Sequence, residues 1–246
     1  MLIRRVFSAI AVVALMSVAA LAQDLTLDQV LKKAEDAIGG AEAISKVQTL
    51  KMTAKMTVSG QEMLMTVSTK RPSCVRTEMT IQGQSVVSAY DGTTGWMINP
   101  LTGSSEPQKM DDKTTASLST SDMNNSLGSL SGLKAAGHTV ELLGKEDVDG
   151  SPAYKVKVTL KSGPIMTYFL DTGTFLPIKI VSKISQMGQD VEVEGFPSNY
   201  KKVGGIMFAH SIAQKVGGRS LGQMDIEKIE IDTPMDDSIF KMPVKK

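Results

Sequence analysis

The stretch Lys70–Pro100, KRPSCVRTEMTIQGQSVVSAYDGTTGWMINP, decides the fold class of this chain. Pro72 cannot donate to a sheet ladder and holds Arg71 extended, so a strand ends at Arg71 and its guanidinium projects from a rim. Beyond it Val75, Thr77, Met79 and Ile81 alternate with Cys74, Arg76, Glu78 and Thr80, the pattern of a strand with one wet face. Gln82-Gly83 punctuates the run. Val86 to Tyr90 and Trp96 to Asn99 then flank Asp91-Gly92-Thr93-Thr94-Gly95, a hairpin signal with glycines available for positive φ. Three antiparallel strands converge on this stretch.

Working outward, the period of two continues upstream. Leu50, Met52, Ala54, Met56 and Val58 share one face, and Thr49, Lys51, Thr53, Lys55 and Thr57 the other. Ser59-Gly60 turns the chain, and Met63, Met65 and Val67 alternate back toward Arg71. A five-stranded meander results. Ahead of it lies one helix: Thr26-x-x-Gln29 is a capping box, Leu27, Val30, Leu31, Ala34 and Ile38 recur at helical spacing, and Gly39-Gly40 ends the run. Ala41 to Lys46 adds one further turn.

Downstream, Leu101 to Gly137 breaks the alternation. It is rich in Ser, Thr, Gly and Asn with widely spaced apolar residues. An unstructured connection of that length is uncommon in a compact domain, so residues 101–137 read as a lid or insert of short helices, with a disordered insertion as the alternative. Strand patterns resume at His138 to Leu143, Tyr154 to Leu160, Phe169 to Asp171, Leu176 to Ile180, Val191 to Phe196, Ile206 to Ile212 and Met224 to Ile231, separated by turns such as Gly204-Gly205 and Gly217-Gly218. The fold class is mainly β: a curved antiparallel sheet of about ten or eleven strands forming an unclosed half-barrel, with the N-terminal helix and a lid segment on its concave side.

Composition sets the class of function. Arg4 and Arg5, the apolar run Val6 to Val18 and Ala20-Leu21-Ala22 form a cleavable export signal, so residues 1–22 are a leader and residues 23–246 one domain. The run falls short of the roughly 20 residues an uncleaved anchor needs to cross a bilayer. The formal charge of +1 gives no reason to expect nucleic acid as a partner. Cys74 is the one cysteine, which excludes an internal disulfide. Aromatics make up 4% of the chain against 16 methionines. Methionine is flexible and polarizable and adapts to irregular apolar partners.

No constellation for catalysis emerges. His138 and His210 lie far apart and outside metal-ligand spacing, and one thiol without a neighbouring base makes a poor nucleophile. Asp111-Asp112 and Asp236-Asp237 diverge in extended chain, while Asp91 and Asp171 sit where turn chemistry already explains them. The chain reads as no enzyme, with no cofactor and no metal. A hydrolase requires that one of the histidines meet a carboxylate in space.

Lys70-Arg71-Pro72 followed by Tyr90-Asp91-Gly92-x-x-x-Trp96-x-x-Asn99-Pro100 resembles the signature of the LolA-like outer-membrane lipoprotein-sorting family. The turn Asp171 to Pro177, the run Tyr200 to Gly205 and the terminal Asp236-Asp237-Ser238-Ile239-Phe240-Lys241-Met242-Pro243 are similar to its other markers. The resemblance implies a periplasmic carrier or chaperone whose unclosed barrel takes acyl chains of lipoproteins or lipids. Its partners would be an inner-membrane donor and an outer-membrane acceptor, met in transient membrane-complex contacts. It implies that Arg71 latches the lid. The lipid-binding positions are then Met52, Met56, Met63, Met65, Val67, Met79, Trp96 and Ile98. Methionines stand where the well-known carriers have aromatics.

Elementary energetics agree with that ligand class. A chain of about sixteen carbons needs roughly 12 kcal/mol of burial to leave a membrane, at about 0.8 kcal/mol per methylene. A few hydrogen bonds at about 1 kcal/mol each fall well short. Two readings of the methionines stay open at this level: a groove that takes acyl chains, or the solid core of a periplasmic scaffold whose edge strands bind other envelope proteins.

Overall fold

The computed structural model describes residues 24–58, 60–112, 114–115, 127, 129–186 and 189–244. The proposed leader lies outside them. The described residues are mainly strand, in one antiparallel sheet of thirteen: β1 (Thr49–Val58), β2 (Gln61–Lys70), β3 (Cys74–Ile81), β4 (Gln84–Tyr90), β5 (Gly95–Asn99), β6 (Ser104–Lys109), β7 (Thr139–Val148), β8 (Ser151–Thr159), β9 (Ile165–Asp171), β10 (Pro177–Gln186), β11 (Gln189–Val203), β12 (Ile206–Val216) and β13 (Arg219–Ile231). Their order is β6-β5-β4-β3-β2-β1-β13-β12-β11-β10-β9-β8-β7. The first and last strands pair at the centre, β6 and β7 form the two edges, and the sheet stays open.

The thirteen strands exceed the ten or eleven that alternation predicts, and one of the additional strands lies in the segment read as a lid. Residues 104–109 form the edge strand β6, held to β5 through Trp96–Lys109 and Met97–Gln108 pairs. Its sequence SSEPQK carries no apolar alternation, and an edge is where a strand tolerates Pro107. The end of the same segment forms helix α3 (Leu130–Ala135), with Leu130 and Leu133 buried. Residues 113, 116–126 and 128, the centre of the proposed lid, lie outside the described residues.

Helix α1 (Leu27–Ile38) begins at the capping box that the sequence announces, with Thr26 and Gln29 satisfying each other's backbone amides. Its buried stripe Val30, Leu31 and Ala34 packs with Leu133 of α3 on Tyr154, Val156, Val158, Tyr168 and Leu170. That seals the inner face of β7–β9. Helix α2 (Ala41–Lys46) follows, and Ile44 meets Ile206. The corner between the helices must be glycine: Gly39 has φ 127°, and a Cβ there would stand 2.6 Å from the Gly205 carbonyl oxygen.

The outer face of β1–β5 is covered differently, by the C-terminal segment after β13. Asp232 accepts the backbone N–H of Gln48 at 2.7 Å and of Thr49 at 3.2 Å. Lys70 donates to the Met235 carbonyl at 3.1 Å, Arg76 to the Ile239 carbonyl at 3.1 Å, and Trp96 Nε1 to the Phe240 carbonyl at 2.7 Å. A 3-10 turn, Asp237–Ile239, is capped by Asp236, whose carboxylate accepts the Ser238 N–H. That bond holds the Asp236 carboxyl below its usual range. The segment is a strap that crosses five strands.

A concave methionine face and its rim

Strand register determines which side chains share a surface, because directly opposed residues point the same way. Met56 stands opposite Met63 on β2 and Met224 on β13. Met52 stands opposite Val67 and Ile229, and Met65 opposite Ala54 and Met79. These residues lie on the face that carries the helices, since Met52, Met65 and Met224 pack against Leu50, Ala54, Ile226 and Ile229, a cluster that shares Phe208, Ile231 and Leu127 with the one under α2. Six of the expected positions, Met52, Met56, Met63, Met65, Val67 and Met79, are therefore brought onto one surface.

Trp96 and Ile98 are not among them, a correction to the sequence reading. Trp96 pairs with Ala89 and Ile98 with Val87, and these belong to the outer face with Arg76 and Glu78. There Trp96 is 0% exposed, packed with Val87 and Ala89 and touched by Met242 of the strap. Alternation left the face ambiguous because Val86 and Val87 are both apolar. The inner position that β5 supplies belongs instead to Met97, opposite Ser88. Met97 and Met224 are the two floor positions missed; Met224 continues the Met63–Met56 row, a signal that becomes visible only once the register is known.

Among the described residues the inner face is fully buried under α1 and only partly buried over the methionine strands. Under α1, Val156 and Val158 are 0% exposed, whereas no methionine of the described residues belongs to the buried core, and those of the floor are half-buried.

Arg71 stands at the rim. Its guanidinium donates to the Ser45 carbonyl at 2.7 Å and the Ile44 carbonyl at 3.0 Å, so it holds the C-terminal end of α2, where a cation also meets the negative end of the helix. The partners described are thus in α2, where the resemblance placed them in a lid. Arg71 and Pro72 border a 540 Å³ cavity with Glu35, Ile44, Ser129 and Ala135 among its lining, and the Ser129 hydroxyl donates to Glu35 across it at 3.0 Å. Replacing Arg71 by Leu is expected to raise amide exchange of Ala41–Lys46 at least tenfold while leaving β7–β9 protected, because charge-assisted bonds worth about 1.5–3 kcal/mol each are lost. Unchanged exchange in α2 would count against the latch.

Several further polar groups have structural partners. Asp171 accepts the Thr174 and Gly173 amides, chiefly Thr174, and its carboxyl is held low; Asp91 caps its turn through Thr93 and Thr94. Burial pushes the Cys74 thiol up, with the charge of Asp237 adding to the effect, which suppresses the reactive thiolate. Burial raises the Tyr168 phenol to about 12. His138 accepts the Lys161 N–H, and the His210 ring bonds the Phe208 carbonyl. Among the described residues no three His, Cys, Asp or Glu side chains gather into a metal-holding group. Lys55, Lys155 and Lys157 pair with Glu227, Glu146 and Glu141 on the outer face, as charges that keep a sheet surface soluble.

No family model matches the sequence, and no curated protein is significantly similar to it. Solved structures are. A LolA superfamily protein from Nitrosomonas europaea superposes with a TM-score of 0.58 at 14% identity, over 88% of this chain and 98% of that one. A DUF1329 family protein from Desulfovibrio piger gives 0.57 at 16% identity, over 87% and 96%. A domain from Vibrio parahaemolyticus, described as an outer membrane lipoprotein-sorting protein, gives 0.54 at 11% identity, over 85% and 95%. These likenesses establish the architecture: the chain has a LolA-like fold.

Proposed function

We propose that this LolA-like half-barrel is a non-enzymatic periplasmic carrier that holds acyl chains of a lipid or lipoprotein and passes them toward the outer membrane. One observation carries the reading: among the described residues, an apolar face several strands wide and rich in methionine is only partly buried, beside a second half that is packed under α1. Such a face is costly to keep in water unless something covers it, and a large apolar patch marks an interaction site. Acyl chains fit its chemistry. The flexible thioether arms repack around chains of different length and unsaturation at low cost. The lipoprotein-sorting description of the Vibrio domain points the same way.

In this reading Met52, Met56, Met63, Met65, Val67, Met79, Met97 and Met224 form the floor, α2 borders the entrance, and Arg71 fixes α2 in place. Residues 1–22 would be removed on export. The ligand leaves by moving from one apolar surface to another, a step that needs no bond chemistry. The scaffold alternative rests on β6 and β7, the sheet edges among the described residues, where a partner strand could add.

The test is native mass spectrometry of the protein purified from an envelope fraction, with lipid analysis of whatever dissociates. Phospholipid or acylated peptide at near-stoichiometric occupancy supports the carrier. A bare mass that persists after incubation with phospholipid and with a diacylated lipopeptide sinks it and favours the scaffold.

A further inference from the structure

We infer that the cross-strand row Met63, Met56 and Met224 is a binding site for a soft monovalent metal ion, Cu(I), with Ag(I) as its redox-inert surrogate. Met56 on the central strand β1 is directly opposite both of the others. Opposed side chains share a face with Cβ atoms about 4.5–5.5 Å apart, and each methionine carries its sulfur on a flexible unbranched arm. Three thioethers so placed can close on one ion. Soft sulfur ligands without charge select Cu(I) over the hard and borderline cations that carboxylate and imidazole favour.

The surroundings suit a monovalent ion. The three residues are half-buried, so the charge is not carried into a dry interior, where an unpaired ion is prohibitive. The row lies near the β1–β2 turn, where Met56 and Met63 are followed and preceded by only a few residues of strand, which leaves access from solvent. Leucine would cover the same area with comparable apolarity; what three methionines add is a soft donor set at one place. The proposal does not rest on acyl-chain carriage, because a leucine-for-methionine exchange keeps the surface apolar and removes the sulfur.

His210 lies two residues along β12 from Ile212, the partner of Met224. Its ring bonds the Phe208 carbonyl. A thioether has no proton to lose, so binding should be flat between about pH 5 and 8; ligation by His210 would weaken it toward pH 5.

The experiment titrates Ag(I) into the full chain, purified without a histidine tag, by native mass spectrometry at pH 5 and pH 7.5, and repeats it with Cu(I) under reducing conditions against a chromogenic chelator. The expected result is one ion per chain, equal affinity at the two pH values, and at least a tenfold loss in Met56→Leu. Met207→Leu, on the opposite face, should leave affinity unchanged. Because Leu and Met are close in volume, these variants should fold, which circular dichroism checks. Absence of bound Ag(I), unchanged affinity in the Met56→Leu, Met63→Leu, Met224→Leu triple variant, or a marked fall at pH 5 overturns the thioether site. Loss of acyl binding in a wild-type assay would bear on the carrier alone.

Discussion

Trp96→Ala is expected to lower the unfolding free energy by about 3–5 kcal/mol, the range for truncating a buried tryptophan, while leaving acyl-chain affinity within threefold of the parent. The ring is 0% exposed and lies on the outer face, packed with Val87 and Ala89. Its N–H anchors the strap at the Phe240 carbonyl, and the Arg76 guanidinium sits 5.7 Å from the ring centre. Removing it opens a cavity and frees the end of the chain at once. Trp96→Phe separates the two contributions: it keeps most of the ring and deletes the donor, for an expected loss of about 1–3 kcal/mol from the orphaned carbonyl. Urea denaturation gives the stability, and displacement of a fluorescent fatty acid gives the affinity. If Trp96 lined the ligand site instead, the alanine variant would change affinity by far more than threefold with little loss of stability, and that outcome would refute the strap assignment.

The second large effect concerns the floor. Met79→Glu should weaken acyl-chain binding at least a hundredfold, about 2.7 kcal/mol, with a change in stability under about 1 kcal/mol. Met79 stands opposite Met65 on β2 and Val86 on β4 and is half-buried. In the empty protein a carboxylate there stays hydrated. Under an acyl chain it would have to give up water without a partner, which costs several kcal/mol. Met79→Leu is the control and should bind within a few-fold of the parent, because volume and apolarity are kept. Unchanged affinity in Met79→Glu would remove β3 from the binding surface and leave the scaffold as the better account.

These two residues also separate what kind of information each level of structure holds. Met79 was legible from sequence: Val75, Thr77, Met79 and Ile81 alternate with polar residues, and the pleat leaves them one common face. Trp96 was not, because β4 is apolar on both sides, so local pattern assigned no face to its partner strand. Only the strap, joined to the chain more than a hundred residues later, decides that the outer side of β5 is dry.

The sequence by itself determined the all-β class, the position and cap of α1, the turns at Asp91 and Asp171, the wet lysine faces and the row of methionines facing inward. All of these follow from interactions within a few residues, where period, capping and turn chemistry act. The tertiary structure alone decided the edge strand β6, the α2 carbonyls as partners of Arg71, the outer placement of Trp96 and Ile98, and the meeting of Met56 with Met224. Each of those depends on backbone pairing or on contacts between segments far apart in the chain. Side-chain periodicity carries no record of which distant strand lies alongside, and it was the pairing of β1 with β13 that set the concave face.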